Sequence, residues 1–196
     1  MSNANPTRRV KYTKMVLRQS LLELMETRPI NMITVKEICA LADVNRGTFY
    51  AHYSNPYDLL SQIEQELYKA IEQSFEKSST EKPTSTLLGD ISAAIAEQGD
   101  LCKILFSEFG DKEFIQKIVY MAHDRSMKEW RVKDGPAWWP EALYAFSAHG
   151  IGGVIENWVK TGMQESPQEM ATLVEMLSNQ GLQAFLYEQD RGTDRA

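Results

Sequence analysis

The sequence predicts an all-α fold: an N-terminal three-helix helix-turn-helix domain joined by a long helix to a helical C-terminal domain. Three observations predict it. Apolar residues recur at spacings of three, four and seven in one segment after another, the mark of helices with one buried face. No stretch of useful length alternates apolar and polar residues as a half-buried strand would. Residues that start and stop helices fall between those segments: Thr34 with Glu37, Asn45, Asn55 with Pro56, Gly99, Gly110, Asp111, and Ser166 with Pro167.

Taken in order, residues 1–11 are polar and basic, and a tail disordered until nucleic acid is present is expected there. Arg8, Arg9, Lys11, Lys14 and Arg18 are five cations with no acid among them. A solvated tail and a phosphate-contacting arm both stay open. Over residues 13–27, Val16, Leu17, Leu21, Leu24 and Met25 form the stripe of an amphipathic helix that Arg28-Pro29 ends. Ile30, Met32 and Ile33 are expected to plug the space between this helix and the next pair.

Thr34 followed three residues later by Glu37 is a capping box. The hydroxyl accepts from a first-turn amide, and the carboxylate accepts from the Thr34 N–H. The helix it starts carries Val35, Ile38, Cys39 and Ala42 on its buried stripe and stops near Asp43. Val44-Asn45 ends a tight turn, with Asn45 capping a second helix from Arg46. Phe49 and Tyr53, four apart, pack inward with Val44. Arg46, Gly47, Thr48, Tyr50 and His52 are left facing out, a surface suited to hydrogen bonding and unsuited to a core. Asn55 then caps a third helix, with Pro56 at the first position and Asp58 in the positive first turn.

That helix runs over residues 56–78 as a rigid brace, with Leu59, Leu60, Ile63, Leu67, Ile71 and Phe75 inward and Glu64, Glu66, Glu72 and Glu76 expected outside. Residues 78–85, SSTEKPTS, read as a loop. Leu87, Leu88, Ile91, Ala94 and Ile95 mark a helix ended by Gly99; Leu101, Ile104, Leu105 and Phe106 mark another ended by Gly110. Residues 111–130, capped by Asp111, bury Phe114, Ile115, Ile118, Val119, Ala122 and Met127.

After a break at residues 133–136, residues 141–161 form a long, weakly charged helix that mixes small Ala145, Ala148, Gly152 and Gly153 with large Phe146, Ile151, Ile155, Trp158 and Val159. Glycine inside a soluble helix costs ~1 kcal/mol relative to alanine, so these glycines predict a close backbone approach. Ser166-Pro167 with Glu169 caps a last helix to residue 187, lined by Met170, Leu173, Val174, Leu177, Leu182, Phe185 and Leu186. The two final helices are more apolar than one protomer can easily bury. They predict half of a four-helix bundle across a two-fold axis, with Gly152, Ile155, Trp158, Val159, Met170, Val174, Leu177 and Phe185 at the interface.

Composition narrows the function. No apolar run approaches the ~20 residues that span a bilayer, and no charged-then-apolar leader is seen, so a cytoplasmic protein without a membrane partner is expected. Cys39 and Cys102 have no metal or redox spacing, and His52, His123 and His149 lie far apart. HExxH, P-loop, GxSxG and GxGxxG patterns are missing. No catalytic group, metal or cofactor is therefore expected. The net charge of −6 hides an asymmetry: residues 1–60 hold eight Lys and Arg against five Asp and Glu, a balance of +3, which leaves −9 for the rest. A basic head on an acidic body is expected when one end meets phosphates.

The run TVKEICALADVNRGTFYAHY, with DLL four residues beyond it, resembles the DNA-binding region of the TetR family of bacterial transcriptional regulators. The run GIGGVIENWVKTGMQESPQEM is similar to the C-terminal region of one subset of that family. The resemblance implies a homodimer on a double-stranded, near-palindromic operator, most simply a repressor released by a small-molecule effector. It implies a DNA-binding domain at residues 1–55 and a regulatory and dimerisation domain at residues 56–196. It places Arg46, Gly47 and Thr48 at the major groove and Thr34, Tyr50 and His52 at phosphates, with Asn45 also among the DNA-binding residues. Family members carry lysine where Pro56 stands, so Lys36 or Tyr57 is left to make that phosphate contact. An effector is expected among the body helices, near Phe106, Tyr120, His123, Trp130, Trp139, Phe146 and His149. A co-regulator acting through a protein partner on the same scaffold is the alternative.

Overall fold

The computed structural model describes residues 6–77, 84–129 and 135–182, and the regular elements within them are all helical. In chain order these are α1 (Pro6–Met25), a single 3-10 turn (Ile30–Met32), α2 (Val35–Leu41), α3 (Arg46–Tyr50), α4 (Pro56–Lys77), α5 (Thr84–Glu97), α6 (Gly99–Leu105), α7 (Lys112–Glu129), α8 (Trp139–Lys160) and α9 (Pro167–Leu182).

The first helix begins earlier than its apolar stripe. Residues 6–11, expected as tail, are helical: Pro6 suits a first helical position, and Arg and Lys are good helix formers. Leu17, Leu21 and Met25 on α1, Ile38 on α2, Phe49 on α3 and Leu59 on α4 meet in a core sealed from solvent. The plug between α1 and α2 is Ile33, which is buried, whereas Met32 is 63% exposed. Ile30 packs partly buried against the core, and the intervening 3-10 turn rotates Met32 outward, correcting the expectation that all three fill the gap.

The same apolar cluster continues along Leu60, Ile63, Leu67 and Ile71 of α4 into α5, α6 and α8, where Leu101, Trp158 and Val159 are fully enclosed. Because α1, α5 and α7 all lie against α4, its buried arc is wider than the apolar stripe. Glu64, expected outside, is caught in that arc and is only 7% exposed. Gly99 opens α6 rather than closing α5. Gly110 lies in the turn after α6, where a β-carbon would come within 2.1 Å of the Leu105 carbonyl oxygen, so the turn needs glycine.

The C-terminal end of α8 is closed by a left-handed cap. Gly162 has φ +91°, the Met163 N–H donates to the Trp158 carbonyl at 2.8 Å, and the Gly162 N–H donates to the Val159 carbonyl at 3.1 Å. The Trp158 indole N–H donates to the Glu165 carbonyl at 3.0 Å, so the buried ring leaves no orphan donor. Ser166 and Glu169 then form a second capping box. The Ser166 amide donates to the carboxylate at 2.8 Å, and the Glu169 amide donates to the hydroxyl at 3.3 Å.

This arrangement corrects most of the expected two-fold surface. Ile155, Trp158, Val159, Met170 and Val174 are buried within the protomer itself, where α9 packs on α5 and α8 ends against α6. Of the expected set Leu177 stays exposed, and Leu173 and Met176 on α9 and Phe146 on α8, which were not in it, are exposed as well. Gly152 stays partly open, and a β-carbon built on it, or on Gly150 or Gly153, meets nothing within 4 Å. The close approach those glycines predict is thus not made among the described residues of one chain. Phe185 lies outside the described residues, as do Trp130 and most of the expected 78–85 loop. Val119, assigned to a buried stripe, is 41% exposed because α7 is only partly covered.

Both cysteines are free and buried. Burial pushes the Cys102 thiol up to about 12. Among the described residues, no helix is long and apolar enough to cross a membrane.

Candidate nucleic-acid interface

The surface begins with the way α2 and α3 are started and joined. The Thr34 hydroxyl accepts from the Glu37 amide at 3.3 Å, and the Glu37 carboxylate accepts from the Thr34 N–H at 2.9 Å and from the Thr34 hydroxyl at 2.7 Å. Arg28 donates to the other Glu37 oxygen at 2.9 Å, tying the end of α1 to the start of α2. The Thr34 hydrogen bonds, followed by Arg28, hold the Glu37 carboxyl below its ordinary value, so it stays ionised as a cap.

The turn between α2 and α3 is made by Asp43, whose φ of +52° lies in the left-handed region. The Val44 N–H donates back to the Cys39 carbonyl at 3.0 Å, a six-to-one closure that ends α2 abruptly. Asn45 then starts α3: its side-chain oxygen accepts from the Thr48 amide at 2.7 Å and from the Thr48 hydroxyl at 3.1 Å. Three α-helical turns of propensity are not available to five residues, so α3 is held by its anchor. Phe49 is fully buried, with Tyr50 edge-on at 5.6 Å and Tyr53 tilted at 5.7 Å. Lys14 of α1 places its ammonium 5.9 Å from the Tyr53 ring centre, which adds α1 to the same mounting.

With Phe49 inward, the opposite side of α3 is open. Arg46, Gly47 and Tyr50 are exposed, as are Thr34, Lys36, Asn45 and Tyr57; Thr48 and His52 are half-buried. The nine residues singled out from the sequence are therefore all accessible to some degree. Two of them carry structural duties as well. The Thr34 and Thr48 hydroxyl protons are already donated to cap acceptors, so a phosphate would have to compete for them. Gly47 also has a local reason to be glycine, since a β-carbon there would sit 3.2 Å from the Asn45 cap oxygen.

The start of α4 is equally fixed. Asn55 accepts from the Asp58 amide at 3.0 Å, and Asp58 accepts from the Ser54 amide at 2.7 Å and from Gln62 at 3.0 Å. Those bonds, the Ser54 amide first, hold the Asp58 carboxyl below its ordinary value. Helical residues Arg8, Arg9, Lys11 and Lys14 extend the basic surface along α1. Their charge was legible in the sequence and their helical order was not. Arg18 does not join them: it donates to Glu66 of α4 at 2.8 Å and to Gln98 at the start of α6, turning toward the body.

Among the described residues, the expected effector residues do not gather into one site, although His123 and Tyr120 meet. Phe106 packs partly buried against the core. Phe146 is 71% exposed. His149 donates through Nδ1 to the Ala145 carbonyl of its own helix at 2.7 Å. Trp139 sits where a β-carbon on Gly135 would strike its ring. His123 stacks on Tyr120, meets Tyr144 edge-on at 4.6 Å and pairs with Glu141 at 3.1 Å across α7 and α8. Of the group's described residues, Tyr120 alone lines the cleft of about 780 Å³ that lies between α4 and α7, walled also by Glu64, Tyr68, Phe114, Lys117 and Met121. The signal that would have found it is a glutamate flanked by Ile63 and Leu67 on a helix covered from three sides.

Comparison with known proteins follows the same outline. A family model, TetR_C_8, described as a transcriptional regulator C-terminal region, matches residues 82–180. No curated protein matches. Among solved structures, a TetR transcriptional regulator from Streptococcus agalactiae 2603V is 20% identical with a TM-score of 0.59, over 88% of this chain and 96% of that one. The fatty acid degradation regulator FadR from Bacillus halodurans is 12% identical with a TM-score of 0.63, over 92% and 98%. FadR from Bacillus subtilis, in complex with stearoyl-CoA, is 16% identical with a TM-score of 0.59, over 84% and 96%. At such identity these structures are similar in fold.

Proposed function

Because the chain belongs to the TetR family of transcriptional regulators, we propose that it is a homodimeric repressor that grips a near-palindromic operator and is released by a small-molecule effector. The observation that carries the reading is the open face of α3, with Arg46, Gly47 and Tyr50 exposed over a fully buried Phe49. A guanidinium on such a face reads guanine O6 and N7 in bidentate fashion, worth ~1 to 3 kcal/mol of discrimination. Lys36, Tyr50, His52 and Tyr57, with the amides at the start of α2, suit phosphate oxygens. Residues 1–55 would form the DNA-binding unit and residues 56–196 the regulatory one.

Two such heads reach the same side of a duplex only if they are held about one turn apart, ~34 to 36 Å. The exposed residues of α8 and α9 supply a surface for that pairing. Arg18, bonded to Glu66 and Gln98, supports a route by which a shift of the body helices reaches α1 and spoils the spacing.

The test is a footprint of the purified protein on its own upstream DNA, followed by binding titrations with two variants. Arg46→Ala should relax base preference at one position of each half-site by roughly 10- to 100-fold. Tyr50→Phe should weaken specific and random DNA alike. Equal losses on both kinds of DNA for both variants would refute these roles. A stoichiometric co-purifying protein with no footprint would instead favour a co-regulator.

A further inference from the structure

Glu64 is a carboxylic acid in a place that asks for a partner. Its side chain is only 7% exposed and its Oε1 receives no hydrogen bond. A buried carboxylate is costly unless it is paired, and burial, reinforced by Asp111 and eased by Lys117, pushes its pKa up to about 7. It is nonetheless not sealed in, because it forms part of the wall of the α4–α7 cleft.

The other walls describe what would fit. Tyr68, Phe114, Tyr120 and Met121 give the cleft an aromatic and polarisable lining, and among the described residues Glu113 and Asp124 add negative charge against Lys117. Tyr120 is 72% exposed at the mouth, with His123 stacked on its ring. Among the described residues, no three His, Cys, Asp or Glu side chains are placed to hold a metal ion. One unpaired carboxylate among rings matches an organic cation instead, whose charge and apolar body would be met together.

We propose that the α4–α7 cleft binds an organic cation with an apolar body, an amine or quaternary ammonium, with Glu64 as counter-ion and Tyr68, Phe114 and Tyr120 against the body. Binding itself stands on the cleft alone; that the cation acts as the effector rests on the regulatory reading above. The cation selects ionised Glu64, so its affinity rises with pH. Among the described residues on that side, Asp111 ahead of α7 and Lys117 on it act on Glu64, and Glu113 and Asp124 of α7 line the cleft. On the other elements against α4, Asp90 and Glu97 of α5 are exposed and Arg18 of α1 is bonded to Glu66.

Isothermal titration of the full chain with tetraphenylphosphonium, whose charge does not titrate, and with neutral triphenylphosphine oxide tests this. The phosphonium should bind at least about tenfold more tightly than the oxide, and about tenfold more tightly at pH 8 than at pH 6. Glu64→Gln, which removes a buried charge and should melt no lower than the parent at pH 8, should abolish both the preference and the pH dependence. Tyr120→Ala, at an exposed site, should weaken the phosphonium about threefold or more. Equal binding of the two probes, unchanged binding in Glu64→Gln, or tighter binding in acid would overturn the proposal. Operator titrations run alongside separate the two readings. Phosphonium bound with the operator retained defeats its role as effector and leaves the site standing; operator binding without phosphonium binding defeats the site alone.

Discussion

Asp43 sets the angle between the two short helices by adopting φ +52°, a region in which a side chain with a branched β-carbon collides with its own carbonyl. Asp43→Val should therefore lower stability by ~1 to 2 kcal/mol, and Asp43→Gly should leave it unchanged or slightly higher, as read from urea midpoints. Because Asp43 is exposed, no lost packing complicates the comparison. At this scale the sequence was legible wherever a residue's duty is local. Thr34 with Glu37, Asn45, Asn55 and Asp111 all cap the helices expected of them. Duties that depend on distant neighbours were not legible. Glu64 reads as a solvent-facing residue until α7 closes over it, and Met32 and Ile33 differ only in which way a 3-10 turn points them.

The elements themselves were set by apolar spacing and by caps, and the long helix α4 spans Pro56–Lys77 as its pattern requires. The basic first turns of α1 were harder to judge, because a mostly polar helical stretch shows no stripe. Its helical form has a measurable consequence. Arg8 and Arg9 are exposed along α1, whereas Arg18 is committed to Glu66 and Gln98. Arg9→Ala should lower the slope of log affinity against log salt by about 1, the share of one phosphate. Arg18→Ala should leave that slope unchanged while costing ~0.5 to 1 kcal/mol of folding stability, modest because Glu66 is largely exposed. An equal change of slope in both variants would return Arg18 to the DNA face.

In the molecule as a whole, the pairing surface was the least legible part. Hydrophobicity marks α8 and α9 as sticky without telling which side of each is used inside the protomer, and α5 and α6 claim Ile155, Trp158, Met170 and Val174. What stays accessible on α9 is Leu173, Met176 and Leu177. Under the proposed two-fold assembly, Leu177→Asp is counted twice per dimer. At ~1.5 to 3 kcal/mol for each leucine it should weaken the dimer by about 10²- to 10⁴-fold, with helix content by circular dichroism unchanged. Sedimentation at micromolar concentration reads the outcome; a dimer that persists there moves the pairing surface elsewhere.

The two thiols have a practical bearing on the proposed head movement. Cys39 and Cys102 are shut inside the protein and Cys102 holds its proton far above neutrality, so neither reacts readily with maleimides or methanethiosulfonates. A cysteine introduced on the outer side of each reading helix can then carry a spin label without background, and the distance between the two labels becomes a ruler laid directly across the pair.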